Sequence, residues 1–254
     1  MPAPYDLYDY QSYWKNRQYE DQSERLALSS FLKKIGNREK IIDLGSGFGR
    51  LTSVYLDFFE KVVLCDPSEK NLALSSKKYS GFPKIDFVKA SLPCLPFKNN
   101  CFDLVMVVRV FHHLKNSQPS LEEINRILKP GGFLILEFAN KIHFLNMLKA
   151  LAKLDFTFFK DLTPFEQRSE ISLHQRKINF LNHHPREIEN NLRQLGFEIK
   201  EKRSVSNFRN PIIKRIIPLS LRLLFEKKLQ ATLSLINFGP SIFVLAQKPI
   251  RLDF

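Results

Sequence analysis

Cysteine is scarce in this chain: there are three in 254 residues, and no two stand at the C-x-x-C spacing of a zinc or redox pair. Cys65, Cys94 and Cys101 therefore supply neither a disulfide framework nor a metal site, and they read as ordinary reduced thiols in or beside core strands. Long apolar runs are missing too, so no segment has the length of a bilayer-spanning helix. The opening Met1-Pro2-Ala3-Pro4-Tyr5-Asp6 lacks the basic-then-apolar pattern of a secretory leader, and the expected location is cytoplasmic. Acid is also in short supply. Against 39 Lys and Arg there are 26 Asp and Glu, a net charge of +13, and residues 140–254 hold 20 of the basic and 10 of the acidic side chains. Such a surplus speaks to partners such as nucleic acid, an anionic membrane or an acidic substrate, not to fold.

What is present is a chain of globular composition, 44% hydrophobic and 26% charged, long enough for one large domain with insertions. Its most informative stretch is Ile41-Ile42-Asp43-Leu44-Gly45-Ser46-Gly47-Phe48-Gly49-Arg50-Leu51. An apolar run breaks into alternating glycines behind an acid, which reads as strand, tight turn and helix start. Glycine is required where a side chain would keep a ligand from the backbone or where φ is positive. The dinucleotide fingerprint GxGxxG would need a glycine where Arg50 stands, so a different nucleotide-like cofactor is indicated.

Short apolar runs recur at residues 40–44, 61–65, 85–88, 102–108 and 133–138, separated by helix-length segments. This alternation predicts a parallel sheet covered on both faces. Leu28, Phe31, Leu32 and Ile35 form one face of a helix over 21–35, ended by Gly36-Asn37. Ser120-Leu121-Glu122-Glu123 has the form of a capping box opening a helix that Lys129-Pro130-Gly131-Gly132 stops. Another helix is expected over 185–195, and the last two strands, 196–206 and 241–248, are expected to be antiparallel to each other. Insertions at 140–184 and 207–240 are far longer than connections need.

A ribose-binding loop calls for a carboxylate at the tip of the next strand, and Asp66 of Val62-Val63-Leu64-Cys65-Asp66-Pro67 stands there. Its alternative role is to cap the helix that follows. In these motifs the chain resembles the class I S-adenosylmethionine-dependent methyltransferases, specifically the small-molecule branch with ubiquinone and menaquinone biosynthetic enzymes and the methyltransferase type 11 domain. The resemblance covers residues 39–139: IIDLGSGFGRLT, VVLCDPSEKNL, Leu95-Pro96-Phe97 with Phe102-Asp103-Leu104-Val105, Arg109-Val110-Phe111-His112-His113-Leu114, and EINRILKPGGFLILEF. It implies an α/β, Rossmann-like, seven-stranded and mostly parallel sheet with helices on both faces. The last strand would be antiparallel, with helical insertions after strand five and between the last two strands. The implied organisation is a single domain over 1–254: an N-terminal helical lid (1–38), a cofactor-binding core (39–139), and inserted cap segments (140–184 and 207–240).

The implied cofactor is S-adenosyl-L-methionine. Gly45, Ser46, Gly47 and Gly49 would lie along its methionine and ribose, Asp43 beneath its amino group, Asp66 on the ribose hydroxyls and Pro67 against adenine. Ser91 and Leu92 would flank the adenine, with Ser91 where many relatives carry an acid, and Arg109 stands at the exit of the fourth strand. Tyr13-Trp14-Lys15-Asn16-Arg17-Gln18-Tyr19 looks like the family's lid, and reads equally as an aromatic helix packed on the core.

Transfer from a sulfonium needs little beyond in-line placement and dryness, with a base for a hydroxyl or acidic carbon acceptor. His112 and His113 are candidate bases, with a framework role as the alternative. His143, His183 and His184 come from the first insertion, and no pattern marks any of them as a metal ligand. The Asn/Asp-Pro-Pro-Tyr tetrapeptide of amino-group methylation is replaced by Val107-Val108-Arg109-Val110, which demotes nucleic acid without excluding it. A small-molecule acceptor, hydrophobic or aromatic and methylated at oxygen or carbon, is the leading expectation. Methylation of RNA or another nucleic acid through the basic C-terminal half, and a non-catalytic cofactor-binding relative, are the alternatives. Ile142–Phe159 and Arg209–Lys228 combine Leu, Ile and Phe with Lys and Arg. Their helices could roof the sheet, cap a substrate pocket or lie on an anionic membrane, although Pro211 and Pro218 break the second into short pieces.

Overall fold

The computed structural model describes residues 6, 9–36, 39–114, 116–166 and 179–250. Parts of the expected lid (1–5, 7, 8, 37 and 38) and of the first expected cap (167–178) lie outside the described residues. So do most of the opening Met1–Asp6 stretch and one residue, Asn37, of the expected helix stop.

The sheet contains β1 (Lys40–Leu44), β2 (Lys61–Cys65), β3 (Ile85–Val88), β4 (Phe102–Val107), β5 (Leu128–Ala139), β8 (Glu198–Val205) and β9 (Ser241–Gln247). Its order is β3-β2-β1-β4-β5-β9-β8. β9 pairs antiparallel with both neighbours, β5 and β8, whereas the other pairs are parallel, so the last strand alone runs against the rest. Around the sheet lie α1 (Tyr10–Lys15), α2 (Gln18–Leu32), α3 (Thr52–Tyr55), α4 (Glu69–Tyr79), α5 (Gln118–Ile127) and α7 (Pro185–Gln194). The first insertion holds α6 (Phe144–Ala152) and a two-residue ladder of β6 (Phe165–Glu166) with β7 (Leu181–Asn182); the second holds α8 (Pro211–Ile216) and α9 (Leu219–Ser234).

The period of two along each strand divides the core. Ile42, Val63, Val105 and Leu134 pack with Leu121, Ile124, Ile188 and Leu192 on one face, while Ile41, Val62, Leu104 and Ile135 pack with Leu28, Phe31 and Tyr55 on the other. Burial on both faces explains why these strands read as continuous apolar runs.

Three boundaries differ from expectation. α2 begins at Gln18 and gives way after Leu32 to a turn in which the Lys34 N–H donates to Phe31 O, although Ile35 remains buried. α5 begins two residues before Ser120, so there is no capping box; Pro119 lies in the first turn, where its fixed φ suits a helix start. Glu123 instead accepts from the Leu95 N–H at 2.8 Å and pairs with Arg126. Finally, Lys129–Gly132 do not separate helix from strand but form the irregular start of β5, with a register shift against β4.

Both insertions leave the sheet at one edge. Ala139 and Val205 each pair with Ser241, so the end of β5, the end of β8 and the start of β9 are neighbours. This is the carboxyl edge of the parallel strands, where the glycine loop also lies. Among the described residues no helix is long and apolar enough to cross a membrane. Of the cysteines, Cys65 is buried, Cys101 partly exposed and Cys94 exposed, so the last is not a core thiol.

Candidate active site

At the end of β1 the chain turns sharply because the Gly45 and Ser46 N–H groups both donate to Cys65 O, at 2.7 and 3.1 Å. Gly45 has φ +75°, and a Cβ there would sit 2.1 Å from Val110 Cγ2, so conformation and space both demand glycine. Gly47 has φ +56° and open space where a Cβ would point, which leaves its backbone approachable. Gly49 is wedged against the Tyr79 ring, and its carbonyl accepts from the Tyr79 hydroxyl at 2.9 Å.

Asp66, at the tip of β2, accepts from the Gly47 N–H at 2.8 Å and the Ser68 N–H at 2.9 Å. The cap of α4 is Ser68, whose hydroxyl takes the Asn71 N–H at 3.1 Å, so Asp66 is left to organise the loop. Burial raises its carboxyl above the ordinary range, opposed by those two N–H donors. Asp43 lies buried beneath the loop and accepts from the Tyr55 hydroxyl at 2.6 Å. Burial pushes its carboxyl up to about 7; the Tyr55 bond opposes this and the charge of Asp66 adds to it.

The exit of β4 supplies Arg109 in the left-handed region at φ +63°. Its N–H donates to buried Glu137 at 2.8 Å, and its guanidinium reaches Glu24 of α2 at 2.5 and 2.7 Å. Burial works against its charge, but Glu24 and Glu137 together hold its pKa above the ordinary value. Arg50 pairs with the same Glu24 and with Asp21. Trp14 of α1 lies against both guanidiniums, 3.6 Å from Arg50 and 5.6 Å from Arg109.

These groups line one cleft with about 1050 Å³ of empty space, including the part open to solvent. Asp43, Gly45, Ser46, Gly47, Asp66, Pro67, Ser91, Leu92, Arg109 and His113 all line it; Gly49 and His112 are not among the lining residues. Tyr10 and Trp14 close one side. Tyr19 instead enters the core and bonds to Glu226 of α9. His112 is buried between His113 and Phe180, with ring centroids at 4.0 and 4.4 Å. His143 precedes α6, its pKa pushed down to about 4 by burial, with Arg209 and Lys149 adding. His183 packs on Phe111, and His184 Nδ1 accepts from the Arg186 N–H at 3.1 Å.

Sequence reasoning missed Arg50, Tyr55, Asn71, Glu24 and Glu137. Only Glu24 left a signal, four residues before Leu28 on the buried face of α2, where an acid is out of place unless paired. Among the described residues no group of His, Cys, Asp and Glu could hold a metal.

The methyltransferase domain family matches residues 42–136, the span from β1 to β5 that builds this cleft. Over this span the chain is similar to S-adenosylmethionine-dependent methyltransferases. It is 29% identical over 145 residues to the ubiquinone/menaquinone biosynthesis C-methyltransferase of Shewanella oneidensis, covering 52% of this chain and 58% of that protein. The corresponding protein of Shewanella sp. strain ANA-3 is 31% identical over the same shares. The chain thus spans little more than half the length of these relatives. The S-adenosylmethionine dependent methyltransferase from Mesorhizobium loti superposes with a TM-score of 0.60 at 17% identity, covering 89% of this chain and 97% of that one. The [4+2]-cyclase SpnF gives 0.58 at 17%, covering 89% and 82%. At such identities the two structures share the fold alone, and the cyclase shows that this fold does not dictate one reaction.

The Mesorhizobium loti protein is S-adenosylmethionine dependent, and the cleft of this chain fits that cofactor. Gly47 offers open backbone, Asp66 a carboxylate beside it, and Pro67 and Leu92 an apolar flank.

Proposed function

We propose that the protein transfers the methyl group of S-adenosylmethionine to a small, hydrophobic or aromatic acceptor, at oxygen or carbon. The observation that carries this reading is one cleft with two buried carboxylates, Asp43 and Asp66, under a glycine loop at its floor. Apolar Leu95, Val108, Val110 and Leu114 line its walls. When bound, the sulfonium supplies an activated methyl that an acceptor lone pair displaces in line, leaving the thioether S-adenosylhomocysteine.

The chain's own residues bind and position. Asp66 has lone pairs for two ribose hydroxyls beyond the N–H groups it already accepts, and Asp43, buried in the cleft lining, would neutralise the cofactor's ammonium. Trp14, held by Arg50 and Arg109, covers the opening against water. His113 is the acceptor-side base of this reading, and the carbonyl oxygen of Asn179, 2.8 Å from its Nδ1, orients the ring.

Calorimetry with S-adenosylhomocysteine tests the reading. The wild type binds, and Asp66→Ala binds roughly 100-fold more weakly, the loss of two charge-assisted hydrogen bonds. With labelled S-adenosylmethionine and a panel of hydrophobic phenols, His113→Ala lowers turnover without changing cofactor affinity. A folded wild type that gives no heat with S-adenosylhomocysteine defeats the proposal.

A further inference from the structure

Helix α9 is packed inside out. Its buried residues are Arg222, Glu226, Gln230 and Ser234, one polar stripe at a spacing of four, while Leu221, Leu224 and Phe225 are exposed, followed by Leu235 at 78%. A surface helix normally buries its apolar stripe. α6 repeats the anomaly: Ala150 is its one buried residue, and Phe144, Leu145, Leu148 and Leu151 face outward, with Leu154 beyond them 75% exposed. The two surfaces are joined, because the Phe144 N–H donates to Phe238 O at 2.9 Å and the two rings stack at 4.8 Å just past the end of α9.

Exposed charge on the two helices themselves is of one sign, and Asp155, just past α6, is the exposed acid that follows. Between residues 144 and 154 there is no acid, and between 211 and 236 the one acid, Glu226, is fully buried. Lys149, Lys153, Arg215, Lys227 and Lys228 are all exposed. In the sheet-edge region the basic residues are instead neutralised, as Lys202 is by Glu189 and Arg203 by Glu201. Positive charge thus collects beside the outward-facing leucines.

We propose that this face docks on an anionic lipid bilayer, with α6 and α9 lying in the interface, their leucines among the acyl chains and their lysines at the headgroups. Interfacial helices have this combination of one apolar face and lysines at its margin. A second copy of the chain is a poor occupant, since a two-fold interface would set Lys149, Lys227 and Lys228 close to their own copies. Both insertions spring from the strand edge that carries the cleft, so docking turns the cleft mouth toward the bilayer. That a lipid-soluble acceptor enters from there rests on the methyl-transfer reading; the docking itself does not.

Co-sedimentation with vesicles of phosphatidylcholine, with and without phosphatidylglycerol, tests the proposal, alongside calorimetry with S-adenosylhomocysteine on the same preparations. The protein sediments with the phosphatidylglycerol vesicles and is released by salt. Lys227→Gln with Lys228→Gln weakens this by about fivefold per lysine. Leu148→Asp with Leu235→Asp abolishes it, and cofactor affinity is unchanged in both variants. Equal binding to both vesicles, or to neither, overturns the proposal. So does a dimer in light scattering that the Leu148→Asp, Leu235→Asp variant dissociates, which would assign the face to a second copy. Lipid binding without cofactor binding would defeat the proposed function and leave the docking intact; the converse would do the reverse.

Discussion

Asp43 is the residue whose environment makes the sharpest demand. Its ordinary pKa is 3.8, and burial carries it to about 7 in the folded chain, so between those values the native state holds a proton that the unfolded chain has lost. Stability therefore falls as pH rises across that window, at up to about 1.4 kcal/mol per pH unit, and the penalty is complete above it. Asp43→Asn removes this slope in urea melts taken at a series of pH values. An ammonium group bound beside Asp43 would draw its pKa back down, so cofactor binding at about pH 6.5 should release a proton. Calorimetry in buffers of different ionisation enthalpy reads that proton, and the Asn variant should not release it. No proton release from the wild type would mean that the ammonium sits elsewhere.

Gly45 and Asp66 are legible in the sequence because strand ends force particular residue types: glycine where φ is positive, and an acid where the N–H groups of Gly47 and Ser68 converge. Tyr55 and Arg50 are not legible. Tyr55 acts through Asp43, 12 positions earlier, and Arg50 through Glu24, 26 positions away, and no local pattern encodes such pairings.

Among the elements, the N-terminal pair shows most clearly how sequence and packing divide the work. Asp9 caps α1 by accepting the Ser12 N–H at 3.1 Å, and none of the residues of α1 is buried. What holds it is Trp14 on the guanidiniums of Arg50 and Arg109, themselves anchored on Glu24 of α2. Because the core owes α1 nothing, Trp14→Ala should shift the melting temperature little. It should weaken S-adenosylhomocysteine binding by roughly tenfold, the scale of a partly desolvated cation–π contact. Unchanged affinity in calorimetry would show that α1 does not cover the cofactor. The aromatic segment could not be assigned as a whole beforehand because a break at Asn16-Arg17 separates Trp14 on the cleft from Tyr19 in the core. The capping box failed for a local reason of the same kind, since Pro119 starts α5 before Ser120 can cap it.

Across the whole molecule, the alternation of strands and helices was readable because each strand is buried on both faces, but the way the chain's two ends meet was not. α2 and α9 are joined through Glu226, 207 residues from Tyr19. This carboxylate accepts from the Tyr19 hydroxyl, the Ser206 and Asn207 N–H groups, the Asn207 amide and the Gln230 amide. Burial raises its pKa above the ordinary value while these donors oppose the shift. In the sequence the helix shows leucines and lysines, and nothing local says that its polar stripe turns inward, because the acceptor's donors come from α2 and the end of β8. Deleting the carboxylate leaves those donors buried and unmatched, so Glu226→Ala should cost about 3 kcal/mol or more in urea unfolding. Glu226→Gln, which restores one acceptor oxygen, should recover part of it. The inward stripe and the outward leucines are two sides of one arrangement. If Glu226→Ala costs less than about 1 kcal/mol, the range of an ordinary exposed contact, then Glu226 is not what fixes α9 with its polar side in, and the docking face loses its structural cause.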